Sequence, residues 1–392
     1  MLIETIKKKI WGESSIMHDN YNIAIVVHGP GIVDTGYAKK IIDLLSDYGN
    51  TTAILGGTMG RTAVIDASLE DTINIEKKLL PSQSISYLSK DNDIVFLLNY
   101  GKSTITGHTF GYKVFNKTDN APLVQIERPG ENDGCIIIWN DEIDIQLAET
   151  ISNILELPII SKSKATGMVE SLTGYSSEDN IIKRKVAGVS AGENIMMNGI
   201  IIGKATDNHL IIYSKDNQII QMDGGEIKQH GLEKLGKVDL STAIIKTGLL
   251  RKSNNIKPRI IKKEKTQRIT AVYLDHAADD IYQYKDENII VSVGDDTTLL
   301  SSDILYRFNT PIIGITDGDL DKIVEEGFKL ENSLIIQVES GYDDIMGRLI
   351  FEEIFHNNIV IEVESFDKLK ENILKLLDEN ISYNIIDKQL KD

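Results

Sequence analysis

A single cysteine, Cys135, in 392 residues excludes a disulfide framework and a cysteine-based zinc cluster. It lies in the strand-like run Cys135-Ile136-Ile137-Ile138 and reads as a packing residue. Positive charge is also scarce: 42 Lys and Arg face 59 Asp and Glu, and a formal charge of -17 argues against general nucleic-acid binding, so no DNA partner is expected. No apolar stretch reaches the length of a membrane helix and no signal peptide is visible, which makes a cytoplasmic protein without a membrane partner the expectation. No two histidines share a loop at zinc-ligand spacing. The glycine-rich segments match neither a Walker A motif nor a dinucleotide fingerprint. Internal repeats and low-complexity segments are missing too.

What is present fits a globular chain of two or three domains, at 41% hydrophobic and 26% charged residues. Residues 1–20 form an N-terminal extension of no clear role. Residues 21–157 alternate strands and helices: Ile23 to Val27, a helix from Asp34 to Tyr48, Thr52 to Leu55, Ile94 to Leu98, Leu123 to Ile126, and a last helix from Glu142 to Leu157. Residues 158–250 begin with a polar connecting loop and continue as short strands with turns at Asn198-Gly199, Lys215-Asp216-Asn217 and Asp223-Gly224-Gly225, a β insert. It should pack on a neighbour through Ile200, Ile202 and Leu210. Residues 251–268 hold eight Lys or Arg and one Glu, a net +7 in an acidic chain. Such a basic linker is either a solvated connector or a segment folded over an anionic ligand or an acidic neighbour. Residues 269–392 return to alternating strands and helices. The fold class is α/β: two doubly wound, Rossmann-like parallel-sheet domains with a small antiparallel β insert between them.

The stretch from Val291 to Asp321 carries the most chemistry. Ile289 to Val293 reads as a buried strand, Thr297 or Thr298 as the cap of a helix, and Ile312 to Ile315 as a second strand opened by Pro311. In a right-handed βαβ unit both following loops reach the same carboxyl edge of the sheet. Asp295, Asp296, Asp317 and Asp319 would gather there, with Asp321 beyond them. Clustered carboxylates repel one another unless a cation or donors compensate. They are therefore candidate ligands for Mg²⁺, with the N–H groups around Thr297 and Thr298 suited to a phosphate. The same residues also serve as ordinary turn formers and caps.

Four loops of the first domain follow strands and should collect on one edge. Gly56-Gly57-Thr58-Met59-Gly60-Arg61-Thr62 resembles a phosphate cradle, because its glycines allow close backbone approach while Arg61, Thr58 and Thr62 can hold an anion. Lys102, Ser103 and Arg128 join it from neighbouring loops. His28, directly after the first strand, is a candidate general acid or base, or else a histidine bonded to nearby backbone. His108 and His276 are weighed in the same way.

His28-Gly29-Pro30 with Asp34-Thr35-Gly36, the Gly56–Thr62 loop, and Gly294-Asp295-Asp296-Thr297-Thr298 with Thr316-Asp317-Gly318-Asp319 resemble an archaeal family known as domain of unknown function 2117. The resemblance covers most of the chain and implies an archaeal cytosolic protein without an assigned activity. The C-terminal domain resembles more loosely the nucleotide-binding domain of thiamine pyrophosphokinase-like proteins, which implies Mg²⁺ and a nucleotide; the chain lacks that family's Asp-Ser partner motif. Three classes of function follow: a Mg²⁺-dependent enzyme acting by phosphoryl or pyrophosphoryl transfer on a phosphorylated small molecule or nucleotide, a non-catalytic nucleotide or metabolite sensor, and an assembly factor with a protein partner.

Overall fold

The computed structural model describes residues 21–386, except 144, 171–174, 179–180, 187, 242, 244, 249–250, 252–255, 263–267, 277–280 and 319–327. The chain divides into two compact units. The first runs to Val64 and from Ser68 to Glu170; the second takes Ile65–Ala67 and the chain from Ser171 onward.

The first unit is built from β1 (Tyr21–His28), α1 (Gly31–Asp34), α2 (Tyr37–Ser46), β2 (Gly49–Gly56), α3 (Arg61–Asp66, whose last two residues belong to the second unit), α4 (Pro81–Leu88), β3 (Ile94–Asn99), α5 (Thr104–Phe115), β4 (Leu123–Glu127), β5 (Cys135–Ile138), α6 (Gln146–Leu155), β6 (Ile159–Ser161) and α7 (Lys162–Glu170). Its sheet has the order β2-β1-β3-β4-β5-β6. Ile23 to Val27 and Val95 to Leu98 have no exposed surface, as unbroken apolar strands covered on both faces require. Neighbours are parallel except β4 and β5, which run antiparallel. The connection 128–134 is too short for the crossover that a parallel neighbour needs. The single helix expected from Asp34 to Tyr48 is two pieces, because Gly36 takes φ +77° between α1 and α2. The polar stretch after Ser161, expected as a loop, holds α7, which buries Ala165 and Val169.

The second unit opens with β7 (Tyr175–Glu178), β8 (Ile181–Val186), β9 (Asn194–Met197), β10 (Ile200–Ala205), β11 (Leu210–Lys215), β12 (Gln218–Asp223), β13 (Gly225–Ile227), α8 (Gln229–Leu235) and β14 (Ile245–Thr247). These strands make two antiparallel four-stranded sheets, β13-β10-β9-β14 and β12-β11-β8-β7. They share one core with Ile195, Met197, Ile202, Leu210 and Ile212. The unit continues with β15 (Ile269–Leu274), β16 (Ile289–Val293), α9 (Asp295–Tyr306), β17 (Ile312–Thr316), β18 (Leu334–Val338), α10 (Asp343–Glu353), β19 (Val360–Val363), α11 (Phe366–Asp378) and β20 (Tyr383–Ile385). The third sheet is β19-β15-β16-β17-β18-β20, parallel in its four central strands and antiparallel at both edges. Ile350 of α10 and Ile373 and Leu377 of α11 pack against Val291, Ile313 and Ile336. The insert meets α9 through Ile201 and Leu299, while Ile200, Ile202 and Leu210, expected at that contact, pack in the insert's own core. Consecutive strand residues face opposite ways, so Ile201 alone can turn outward where Ile202 turns in.

The basic segment has a buried anchor in this unit. The Asp66 carboxylate accepts hydrogen bonds from Arg307 Nε and Nη2, both at 2.8 Å, from Arg251 Nη1 at 2.6 Å and from the Arg259 backbone N–H at 3.0 Å. Arg307 also donates to the Asp303 carbonyl at 2.5 Å. Folding over an acidic neighbour thus describes Arg251 and Arg259 better than a solvated connector does.

Candidate functional site

The parallel register of the first unit puts four strand ends in one row. His28 of β1 stands beside Gly56 of β2 on one side and Asn99 of β3 on the other, and Asn99 stands beside Glu127 of β4. The strand order reverses between β1 and β3, so His28 and Asn99 flank the switch point where open α/β sheets bind ligands.

A chain of hydrogen bonds runs along this row. His28 Nδ1 lies 2.7 Å from Asn99 Oδ1, and Asn99 Nδ2 donates to Glu127 Oε2 at 2.7 Å. Glu127 Oε2 also accepts from Gln125 Nε2 at 2.7 Å, and Oε1 accepts from the Gly101 N–H at 2.7 Å. Gln125 Oε1 accepts in turn from Trp139 Nε1 at 2.8 Å. Gln125, Glu127 and Trp139 have no exposed surface, and Asn99 is 5% exposed. Burial pushes the Glu127 carboxyl above its ordinary value, opposed by the donors of Asn99, Gly101 and Gln125. His28 itself is half-buried and stacks on Phe110, ring centres 3.9 Å apart and planes 14° apart. Its ring is therefore held in plane and in azimuth at the edge of the sheet.

Two glycines of α5 make room for this polar strand. A Cβ on Gly107 would lie 2.1 Å from Glu127 Cδ, and one on Gly111 would lie 1.7 Å from Gln125 Oε1. One helical turn apart, they let α5 settle onto side chains that a larger residue would displace.

The other first-unit candidates divide. Ser103 caps α5, accepting from the Thr106 N–H, and exposed Lys102 precedes it. Arg128 is turned to structure: Nη1 donates to the Gly101 carbonyl at 2.5 Å and Nε to Asp133 at 2.9 Å. The Thr104 hydroxyl and Arg128 hold the Asp133 carboxyl below its ordinary value. Arg61 is 4% exposed and its Nε donates to the Ile75 carbonyl at 3.2 Å. The cradle expected around it is a packed turn: Gly56 sits against Val26, and Gly60 against Leu55 and the Gly29 carbonyl, with Gly57 at φ +85°. Thr58 is exposed and Thr62 half-buried. His108 is fully buried beside Cys135, its Nε2 3.4 Å from the sulfur. Desolvation lowers the His108 pKa and pushes the Cys135 thiol up to about 12.

In the second unit β16 and β17 are neighbours, so the loops after Val293 and Thr316 do share an edge. The helix starts earlier than expected, at Asp295 with Gly294 as its cap residue. Thr297 and Thr298 are buried in its first turn, and Thr298 shares a 2.9 Å hydrogen bond with Ser292. Asp295 is buried, Asp296 half-buried, and the Asp317 carboxylate accepts from the Gly341 N–H at 2.9 Å. Asp319 and Asp321 lie outside the described residues. Among the described residues no group of three or more His, Cys, Asp or Glu is placed to hold a metal ion. His276 pairs at 2.5 Å with its exposed neighbour Asp275.

Asn99, Gln125, Glu127 and Trp139 were not singled out by sequence, although a signal was there. Gln125 and Glu127 alternate in an otherwise apolar strand, and polar residues on one face of a buried strand need partners.

No helix among the described residues is long and apolar enough to cross a membrane. No solved structure matches the chain. A relative from Methanocaldococcus jannaschii, "Uncharacterized protein MJ0065", is 43% identical over 365 residues, covering 92% of this chain and 98% of that protein. Neither this relative nor the matching family speaks to the looser thiamine pyrophosphokinase-like resemblance. The family model described as "Uncharacterized protein conserved in archaea (DUF2117)" matches residues 25–358, and the chain belongs to that family.

Proposed function

We propose that the first unit binds a small anionic ligand at the carboxyl edge of its sheet and that His28 transfers a proton to or from it. The observation that carries this reading is the bonded row His28–Asn99–Glu127 at the switch point of the sheet. A buried carboxylate costs free energy unless its lone pairs are met. Here the bonds reach a half-buried histidine, the side chain whose protonation changes most readily near neutral pH. An anionic ligand is favoured by exposed Lys102 and by the start of α5 at the same edge, where backbone N–H groups and the helix dipole attract negative charge. Phosphorylated metabolites and nucleotides are the first class to test. Arg61 and Arg128 are engaged elsewhere, so recognition of the anion falls to backbone N–H groups at the start of α5 rather than to a guanidinium clamp.

The test is a thermal-shift panel of inorganic phosphate, nucleotides, sugar phosphates and carboxylates, followed by NMR of the His28 ring. A compound at 100 times its dissociation constant stabilises by about 2.7 kcal/mol. Compounds that raise the melting temperature should also move the His28 ring signals, and His28→Gln should remove turnover while keeping binding. If the stabilising compounds leave the His28 signals unmoved, or if the whole panel has no effect, the reading fails.

A further inference from the structure

We infer that Asn99, Glu127, Gln125 and Trp139 are positioning residues that fix the neutral His28 ring as its Nδ1–H tautomer, so that His28 enters the reaction as a base at Nε2. The inference rests on His28 as the proton-transfer residue of the proposed function and adds the direction in which the proton first moves.

Trp139 fixes the directions along this chain of hydrogen bonds. An indole N–H only donates. Trp139 Nε1 is 2.8 Å from a Gln125 side-chain atom, which must be the oxygen. The amide nitrogen of Gln125 then faces the Gly107 carbonyl at 3.0 Å and Glu127 Oε2 at 2.7 Å, both acceptors. The Gly101 N–H, also a donor only, occupies Glu127 Oε1. Both carboxylate oxygens thus receive protons from fixed donors. With Glu127 ionised, Asn99, 2.7 Å from Oε2, meets an acceptor and must present its nitrogen there. Its oxygen is left facing His28 Nδ1 at 2.7 Å and can only accept, so Nδ1 carries the hydrogen. The lone pair of the neutral ring is at Nε2.

The consequence is chemical. An O–H or N–H group of the ligand gives its proton to Nε2, its electron pair stays on the ligand atom, and the ring becomes an imidazolium with a hydrogen on each nitrogen. That cation faces the negative end of the Asn99 amide dipole, and behind it the Glu127 carboxylate. The opposite tautomer would set Nδ1 against Asn99 Oδ1, two acceptors 2.7 Å apart. The ligand's reacting group is therefore one that must lose a proton, such as a hydroxyl, an amine or a bound water.

The experiment is a long-range ¹⁵N–¹H correlation spectrum of the full ¹⁵N-labelled chain above the His28 titration, with His28 assigned by its loss in His28→Gln. Nδ1–H as the major neutral form supports the inference; Nε2–H as the major form overturns it. In Asn99→Leu the Nδ1–H preference should be lost, and in Trp139→Phe weakened. An Asn99→Leu chain that folds and keeps Nδ1–H also overturns the assignment to this network. Should Asn99→Leu fail to fold, the wild-type spectrum decides alone. Failure here leaves the ligand site standing, whereas a correct tautomer whose signals no panel compound moves leaves the positioning network standing and sinks the proposed function.

Discussion

Replacing Asp66 by Ala tests the anchor of the second unit. The carboxylate is 5% exposed and faces Arg307, 1% exposed, and Arg251, 8% exposed. Both Asp66 oxygens are used, by Arg307 Nε and the Arg259 N–H on one and by Arg307 Nη2 and Arg251 Nη1 on the other. After the change, Arg307 keeps Asp303, whose side-chain oxygen is 3.4 Å away and whose own carboxyl burial pushes upward. Asp303 is thus a weak replacement. Removing one partner of a buried ion pair costs about 3–5 kcal/mol, because the remaining charge stays in low dielectric without compensation. For a unit of this size that is a fall in melting temperature of roughly 6–20 °C, at about 2–4 °C per kcal/mol. Asp66→Asn, which keeps the shape but turns an NH₂ toward a guanidinium, should fall in between. Differential scanning fluorimetry reads the loss, and limited trypsin digestion reads its location, through faster cleavage at Arg251 and Arg259. A drop under about 2 °C with unchanged digestion would refute the view that this buried pair holds the basic segment in place.

The remaining predictions concern the first unit. Gly→Ala in a helix ordinarily stabilises by up to about 1 kcal/mol, but Gly107→Ala and Gly111→Ala should destabilise by about 1–3 kcal/mol, because each Cβ would overlap Glu127 or Gln125; stabilisation in urea melts would show that α5 does not rest on the polar strand. Burial raises the Glu127 carboxyl above its ordinary 4.5, so the contribution of this ionisable group is fully present below that pH and is lost as pH rises through the folded value. Melting curves from pH 4 to 8 should accordingly show wild type losing ground to Glu127→Gln as pH rises; a gain instead would mean that the three donors outweigh desolvation. Ser103→Ala removes the side-chain cap of α5 and should cost about 1 kcal/mol by chemical denaturation, with no loss pointing to water as an equal substitute.

Local pattern determined much of this protein. The apolar runs of β1, β3, β16 and β17 announced buried strands, because a strand covered on both faces has no polar side to alternate with. The β insert was legible from its turns, and the gathering of first-unit loops followed from parallel strands. The same local view could not supply the tertiary contacts of these side chains. Arg61 beside glycines reads as an anion clamp in one dimension, yet it is buried and bonded to the Ile75 carbonyl. Arg128 and Ser103 carry hydrogen bonds within their loops and helix cap, as the acidic Asp133 and the Thr106 N–H claim them. Tertiary structure alone decided which polar residues meet. The bonded partners His28 and Asn99 are 71 positions apart, and Asn99 and Glu127 are 28. The order β2-β1-β3-β4 sets His28 next to Asn99, and α5 comes close enough to cover Glu127 only because Gly107 has no side chain. Propensity and periodicity act within a few residues, whereas a hydrogen-bond row across strands depends on sheet order and register, which long-range packing sets.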